Sequence, residues 1–171
     1  LEAAKLGNEA VLNYSNRLAD KCEEEAGKTD DPEYKKELME LAEICRYVPF
    51  HPARTFQEAV QSIFMVLLAV HMESNGHAIS LGRFDQYVYP LYKKDIEEGR
   101  ITKEKALEII ECFFIKCNEL NKLRSWPDTE FFMGYQMFIN LAICGQTVEG
   151  KDATNDISRM CIQACRELKL I

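Results

Sequence analysis

A mainly helical fold with one short strand is what this sequence predicts, on three observations. Apolar residues recur at three- and four-residue spacing through most of the chain. Helix-capping residues stand ahead of those stretches. Only residues 138–144 are short and apolar enough before Gly145 to read as a strand. Taken alone, this is the pattern of an all-α protein, a bundle or a helical repeat.

The elements follow in order. Residues 4–26 place Leu6, Ala10, Tyr14, Leu18 and Cys22 on one helical face, and Gly27 is the natural stop. Asp31-Pro32 opens a second helix, with Asp as cap and Pro in the first turn. Its face is Tyr34, Leu38, Leu41, Ala42 and Cys45, and it must end before Pro49. Thr55 and Glu58 have capping-box spacing for a third helix over residues 56–72, which becomes apolar on every side and is expected to be buried on every side. A short helix is expected over residues 83–97. Thr102 caps a long one with Ala106, Ile110, Phe113, Cys117 and Leu120 in register. Residues 124–129, broken by Pro127, read as loop. Asp152 or Thr154 caps a last helix with Ile157, Met160, Cys161, Ala164 and Leu168 inward.

Composition narrows the function. The chain has 171 residues, 47% hydrophobic and 29% charged, an ordinary globular balance for one domain. A net charge of −7 argues against a nucleic-acid or anionic-membrane surface. Seven cysteines (Cys22, Cys45, Cys112, Cys117, Cys144, Cys161, Cys165) include no Cys-x-x-Cys pair, and they read as reduced, buried thiols of a cytoplasmic protein. The chain starts without Met and stops inside a helical pattern, so it is expected to be part of something longer.

The densest chemistry lies in residues 66–90, VLLAVHMESNGHAISLGRFDQYVYP. An apolar helix ends in Glu73-Ser74-Asn75-Gly76-His77, drawing an acid, an amide and an imidazole toward the interior. Buried polar groups cost roughly 1–3 kcal/mol each unless partnered, so the cluster is either tightly bonded structure or a site. Asn75-Gly76 allows a sharp turn that aims His77 back over the helix end. On the residues alone, His77 bonds a helix-terminal carbonyl. Glu73, Asn75, Ser80, Arg83 and Asp85 surround it and read as bonding for the loop that holds it. Arg83 and Asp85 lie two apart, share no helix face, and are expected to reach different partners. His71, Glu73 and His77 lack the spacing of a helical zinc pair, and no Pro-Cys-x-x-Cys follows them.

These residues also carry a family resemblance. ESNGH followed by ISLGRFDQYVYPLY resembles the cavity-lining stretch of the glycyl radical enzymes, the pyruvate formate-lyase family. Pro52-Ala53-Arg54-Thr55-Phe56-Gln57-Glu58-Ala59 before it, and Asn140-Leu141 through Gly150-Lys151-Asp152-Ala153-Thr154-Asn155 after it, resemble the same family in the same order. The match runs from about residue 52 to the end, with residues 1–50 a looser helical lead-in.

The resemblance implies an α/β fold, a ten-stranded barrel wrapped by helices, of which this chain is a mainly helical sector with one or two strands. It implies that His77 and the residue after it contact substrate, as the matching His and Ser bond hydroxyls in diol-processing members. Here that next residue is Ala78, so one polar anchor is missing. Tyr135 and Phe138 precede the strand where an aromatic shapes the family's cavity; core packing is the equal alternative. The resemblance further implies a protein-based glycyl radical installed by a radical SAM iron–sulfur activase, a homodimer in the family's manner, and small-molecule radical chemistry that expels water, carbon dioxide or another group.

The chain itself lacks the reacting centre. The family's thiyl cysteine lies in Gly-Cys-x-Glu; the triplets at Cys22, Cys117 and Cys165 fall inside helical patterns, and none follows Gly. Gly134-Tyr135 has the dipeptide of the radical loop without its Arg-Val-x lead. Cys144 stands where the family commonly has Gly. The expectation is therefore a segment, silent alone, of a radical dehydratase or lyase. The alternatives are formate acetyltransferase-type acyl transfer and a non-catalytic helical scaffold.

Overall fold

Three caps read from the sequence start their helices. The Asp31 carboxylate accepts the backbone N–H groups of Glu33 and Tyr34, opening helix α2 (Pro32–Tyr47). Thr55 accepts from Glu58 N–H and opens α3 (Phe56–Glu73). Thr102 accepts from Lys105 N–H and opens α5 (Lys103–Glu119). Each satisfies a backbone donor that the first helical turn leaves without a partner. Helix α1 (Glu2–Ala26) precedes them, with Gly27 at its end in right-handed rather than left-handed geometry. The computed structural model describes residues 1–74, 78–121, 123–132 and 137–169.

The rest departs from the pattern in instructive ways. Strand β1 (Ser80–Arg83) runs directly into α4 (Phe84–Glu97), so Arg83 ends a strand instead of starting a helix. Residues 124–129 are not all loop: α6 (Trp126–Phe132) contains Pro127, which a first turn tolerates because its missing N–H has no helical partner there. The strand expected over 138–144 is β2 (Asn140–Ala142) alone, because Phe138 (φ 53°) and Cys144 (φ 64°) are left-handed and cannot continue it. The last helix, α7 (Asp156–Leu168), is capped by Asn155, not Asp152 or Thr154. Its amide oxygen accepts from Ile157 and Ser158 N–H, and Ser158 Oγ accepts from Asn155 N–H in return.

β1 and β2 pair in parallel, with α4, α5 and α6 in the crossover that parallel pairing requires. Ser80 pairs with Asn140 and Arg83 with Ala142. β1 therefore spends one extra residue between those pairs, and Gly82 (φ 68°) supplies the left-handed geometry at that irregularity.

Two cores meet on α3. The larger joins α3, α4, α5 and α7 through Phe56, Phe84, Val88, Ile110, Phe113 and Ile157. The smaller joins α1 and α2 to Met65 through Ala19, Ala42 and Cys45, small residues that let the helices approach closely. Ser15, buried between α1 and α2, donates its hydroxyl to Cys45 O at 2.6 Å, with Val48 O at 3.0 Å. α3 is not buried on every side: Val66 (48%), Val70 (41%) and Met72 (64%) remain exposed. Its two cores cover two faces, and Val66 and Val70 on the third border an open concavity beside β1.

The thiols also divide by helical phase. Cys45 and Cys161 are buried, whereas Cys112 and Cys165 are exposed, each one position from the buried Phe113 and Ala164 and so rotated about 100° off the core stripe. The expectation of buried core thiols holds for the first pair only.

The segment before α3 is tied by Glu58. Its carboxylate accepts Arg54 N–H at 2.6 Å and the Arg54 guanidinium, which also lies 3.5 Å over the Tyr47 ring. Burial opposes the Glu58 charge, yet these donors outweigh it and hold the carboxyl below its ordinary range. A lowered folded-state value means stability that is present above the unfolded carboxyl's titration and lost as pH falls through the folded one. The urea midpoint should therefore drop as pH falls through the acidic range. Glu58→Gln should flatten that dependence; an unchanged slope would refute the assignment.

Candidate functional site

The site is built around the two strands. At their amino ends, Ala78 N–H donates to Met137 O at 2.9 Å, laying the segment after α3 beside the one before β2. Ala78 (φ 54°) and Phe138 (φ 53°) thus stand on adjacent segments, both in left-handed geometry. Phe138 lines a cavity of about 560 Å³ with Leu81, Phe113, Met137, Leu141 and Cys161. Arg124 lies 4.8 Å from the Phe132 ring centroid and 5.7 Å from that of Phe138. A second concavity, about 470 Å³, lies between α3 and β1, bounded by Val66, Val70, Ser80, Leu81 and Tyr87.

The carboxyl ends hold a polar network. Asp85, fully buried, accepts Cys144 N–H at 2.7 Å on Oδ2, and the Ser158 hydroxyl donates to the same oxygen. Arg83 donates to Cys144 O at 2.8 Å, and its guanidinium lies against Gly145, where a Cβ would sit 3.5 Å from it. Asn155 Nδ2 donates to Asp85 O, and Gln86 Nε2 to Ala153 O. The expectation of different partners for Arg83 and Asp85 is corrected. The turn from β1 into α4 sends both side chains to Cys144, one to its carbonyl and one to its N–H. Their contacts lie across the strand pair, rather than on the loop after α3.

Of the other residues singled out in the sequence, Glu73 is exposed at the end of α3 and Ser80 is exposed on β1. His77, Asn75 and Tyr135 lie outside the described residues. On α3 ahead of them, Phe64 and Leu68 are half-buried, Leu67 is buried and Val66 is open. Ser158 and the backbone of Cys144 belong to the polar network and do not stand out in the sequence as members of it. Asn155-x-x-Ser158 was the legible signal for one of them, a cap with its reciprocal partner three residues on. The other needs the fold.

Two of the thiols that line the cavity, Cys161 and Cys117, are disfavoured as thiolates by burial. Burial pushes Cys161 up to about 12, with Asp85 nearby adding to it, and burial pushes Cys117 up to about 12. Among the described residues no group of three His, Cys, Asp or Glu side chains is placed to hold a metal. His71 is buried, with Nδ1 2.8 Å from Leu67 O. No helix among them is long and apolar enough to cross a membrane.

A strand pair with a polar clasp at one end borders an apolar hollow at the other, and comparison gives the chain a family. The chain belongs to the pyruvate formate lyase-like family, the glycyl radical enzymes, whose family model matches residues 1–171. It is 41% identical to the isethionate sulfite-lyase of Nitratidesulfovibrio vulgaris over 99% of this chain and 21% of that protein. A structure from work on 1,2-propanediol dehydration in Roseburia inulinivorans superposes with a TM-score of 0.92 at 48% identity, covering 94% of this chain and 20% of that one. A glycyl radical enzyme from Archaeoglobus fulgidus does so with a TM-score of 0.90 at 41% identity, covering 95% and 21%. The chain spans about a fifth of the length of the relatives it matches.

Proposed function

We propose that this chain is the cavity-lining segment of a glycyl radical enzyme that cleaves a carbon–heteroatom or carbon–carbon bond of a small polar substrate. The likeness across 94% of the chain to a structure of 1,2-propanediol dehydration, at 48% identity, carries this reading. The radical glycine and the thiyl cysteine belong to polypeptide beyond these residues, since neither Gly-Cys-x-Glu nor Arg-Val-x-Gly-aromatic occurs here. They supply hydrogen abstraction, with the glycyl radical installed by a radical SAM iron–sulfur activase, and the assembled enzyme is proposed to be a cytoplasmic homodimer.

The residues of this chain bind, orient and exclude water. His77 bonds a polar group of the substrate, or a carboxylate that carries the general acid. Ala78 offers no hydroxyl, so the substrate is held by fewer hydrogen bonds than a diol needs. Tyr135 and Phe138 shape the apolar side of the hollow. Glu73, Asn75, Ser80, Arg83 and Asp85 hold the segments that present them. Isethionate and 1,2-propanediol both carry a hydroxyl on the carbon next to the one bearing the departing group, and a short alcohol of that kind is the substrate class proposed here.

In the full-length enzyme, His77→Ala should lower turnover by about a hundredfold or more, the scale of one positioned acid–base group, while radical loading persists. Electron paramagnetic resonance counts the radical, and product release counts turnover. Unchanged turnover per radical rejects the role.

A further inference from the structure

β2 is three residues long, and its pairing with β1 is irregular. So short a ladder fixes its own register weakly, and a slip of one residue would turn each side chain to the opposite face. What pins it lies beyond its ends. At the amino end the pin is the bond from Ala78 N–H to Met137 O. At the carboxyl end it is Cys144, a residue with a Cβ held at φ 64°, where glycine is the comfortable occupant. Both backbone polar groups of Cys144 are gripped from the other strand's end, its N–H by Asp85 at 2.7 Å and its carbonyl by Arg83 at 2.8 Å.

We infer that Asp85 is a positioning residue: it clamps Cys144 in left-handed geometry and thereby fixes the register of β2 and the place of Phe138 in the cavity wall. This rests on the proposed function above. Asp85 is fully buried, so its contacts are not traded for water. Ser158 locks it from the far side, and Ser158 is itself fixed by the α7 cap, so the clamp is anchored in the core rather than in a loop. Only one carboxylate oxygen works: Oδ2 takes both donors, and Oδ1 is buried and meets no donor among the described residues. The clamp therefore uses an acceptor at a fixed point and not the charge.

That distinction sets the test in the full-length enzyme. Asp85→Ala should lower turnover per loaded radical by about tenfold or more, the scale expected when a cavity wall is displaced by a fraction of an ångström to an ångström. Asp85→Asn, which keeps an oxygen for Cys144 N–H, should stay within about threefold of wild type, on the same scale. Cys144→Gly placed on Asp85→Ala should recover most of the loss, because glycine adopts the left-handed turn without the clamp. Arg83→Ala removes the exposed half of the clamp, with a smaller loss also relieved by Cys144→Gly, and decides the matter if Asp85→Ala does not accumulate as folded protein.

The inference is overturned if Asp85→Ala merely melts earlier with turnover per radical unchanged, if Asp85→Asn fails as badly as Asp85→Ala, or if Cys144→Gly relieves nothing. A wild-type enzyme that loads no radical, or eliminates nothing from a short alcohol, refutes the proposed function instead.

Discussion

Phe84→Ala is expected to destabilise the protein by about 3–5 kcal/mol, the range for emptying a large aromatic from a closed core. Phe84 is completely buried at the start of α4. Its ring stacks on Phe113 of α5, 5.4 Å between centroids and 8° between planes, and meets Tyr87 edge-on at 5.8 Å. It belongs to the core shared with Ile110 and Ile157, so its removal opens a hole that three helices would have to close together. They cannot do so cheaply, because α4 is tied to α7 by Asp85 and Asn155. Stabilities of single domains run about 5–15 kcal/mol, so the loss would consume a large share. Urea unfolding followed by circular dichroism measures it. A loss under about 1 kcal/mol would mean that the packing around Phe84 is not what holds α4 to α5.

Asp95→Ala is the second large effect, expected near 2 kcal/mol, the middle of the range for hydrogen bonds to a charged group. Asp95 is 3% exposed in the last turn of α4, and its carboxylate accepts the N–H of Phe56, the first residue of α3, at 2.7 Å. The anion at that helix start meets the positive end of the helix dipole, and it binds Arg100 at 2.7 and 2.9 Å as well. Alanine would leave a buried donor without its acceptor and free the turn after α4. Asp95→Asn keeps an acceptor and should lose roughly half as much. Equal losses for the two variants would place the effect in the charge, not in the bond to Phe56.

Local signals explain most of the helices. Asp31, Thr55 and Thr102 act through bonds two or three residues away, and such bonds are visible in a linear string. Asn155 and Ser158 are equally local, yet Asp152 and Thr154 offer the same chemistry nearby. In the structure Asp152 is occupied elsewhere, its carboxylate accepting from both the N–H and the hydroxyl of Thr154. β1 left no pattern because Ser80-Leu81-Gly82-Arg83 carries a single apolar residue, and its pairing comes from Asn140 to Ala142, sixty residues on. α6 was hidden by Pro127, which breaks a helix interior and suits a helix start.

The candidate site divides in the same way. Its composition was legible: the residues around Ala78 and Phe138, and the polar run through Asp85, stand out because acids and amides beside apolar stretches are expensive to bury. The grip of Arg83 and Asp85 on Cys144 was not, since it joins positions about sixty residues apart in sequence.

By itself, then, the sequence determined most of the helices, the caps of three of them and the family to which the chain belongs, since these follow from neighbours a few residues apart or from motifs in order. Only the tertiary structure decided that two short strands pair in parallel, that α3 keeps an open apolar side, and that a buried carboxylate meets a left-handed cysteine. Those depend on which distant donor reaches which acceptor once the helices have packed, and no spacing along the chain encodes that choice.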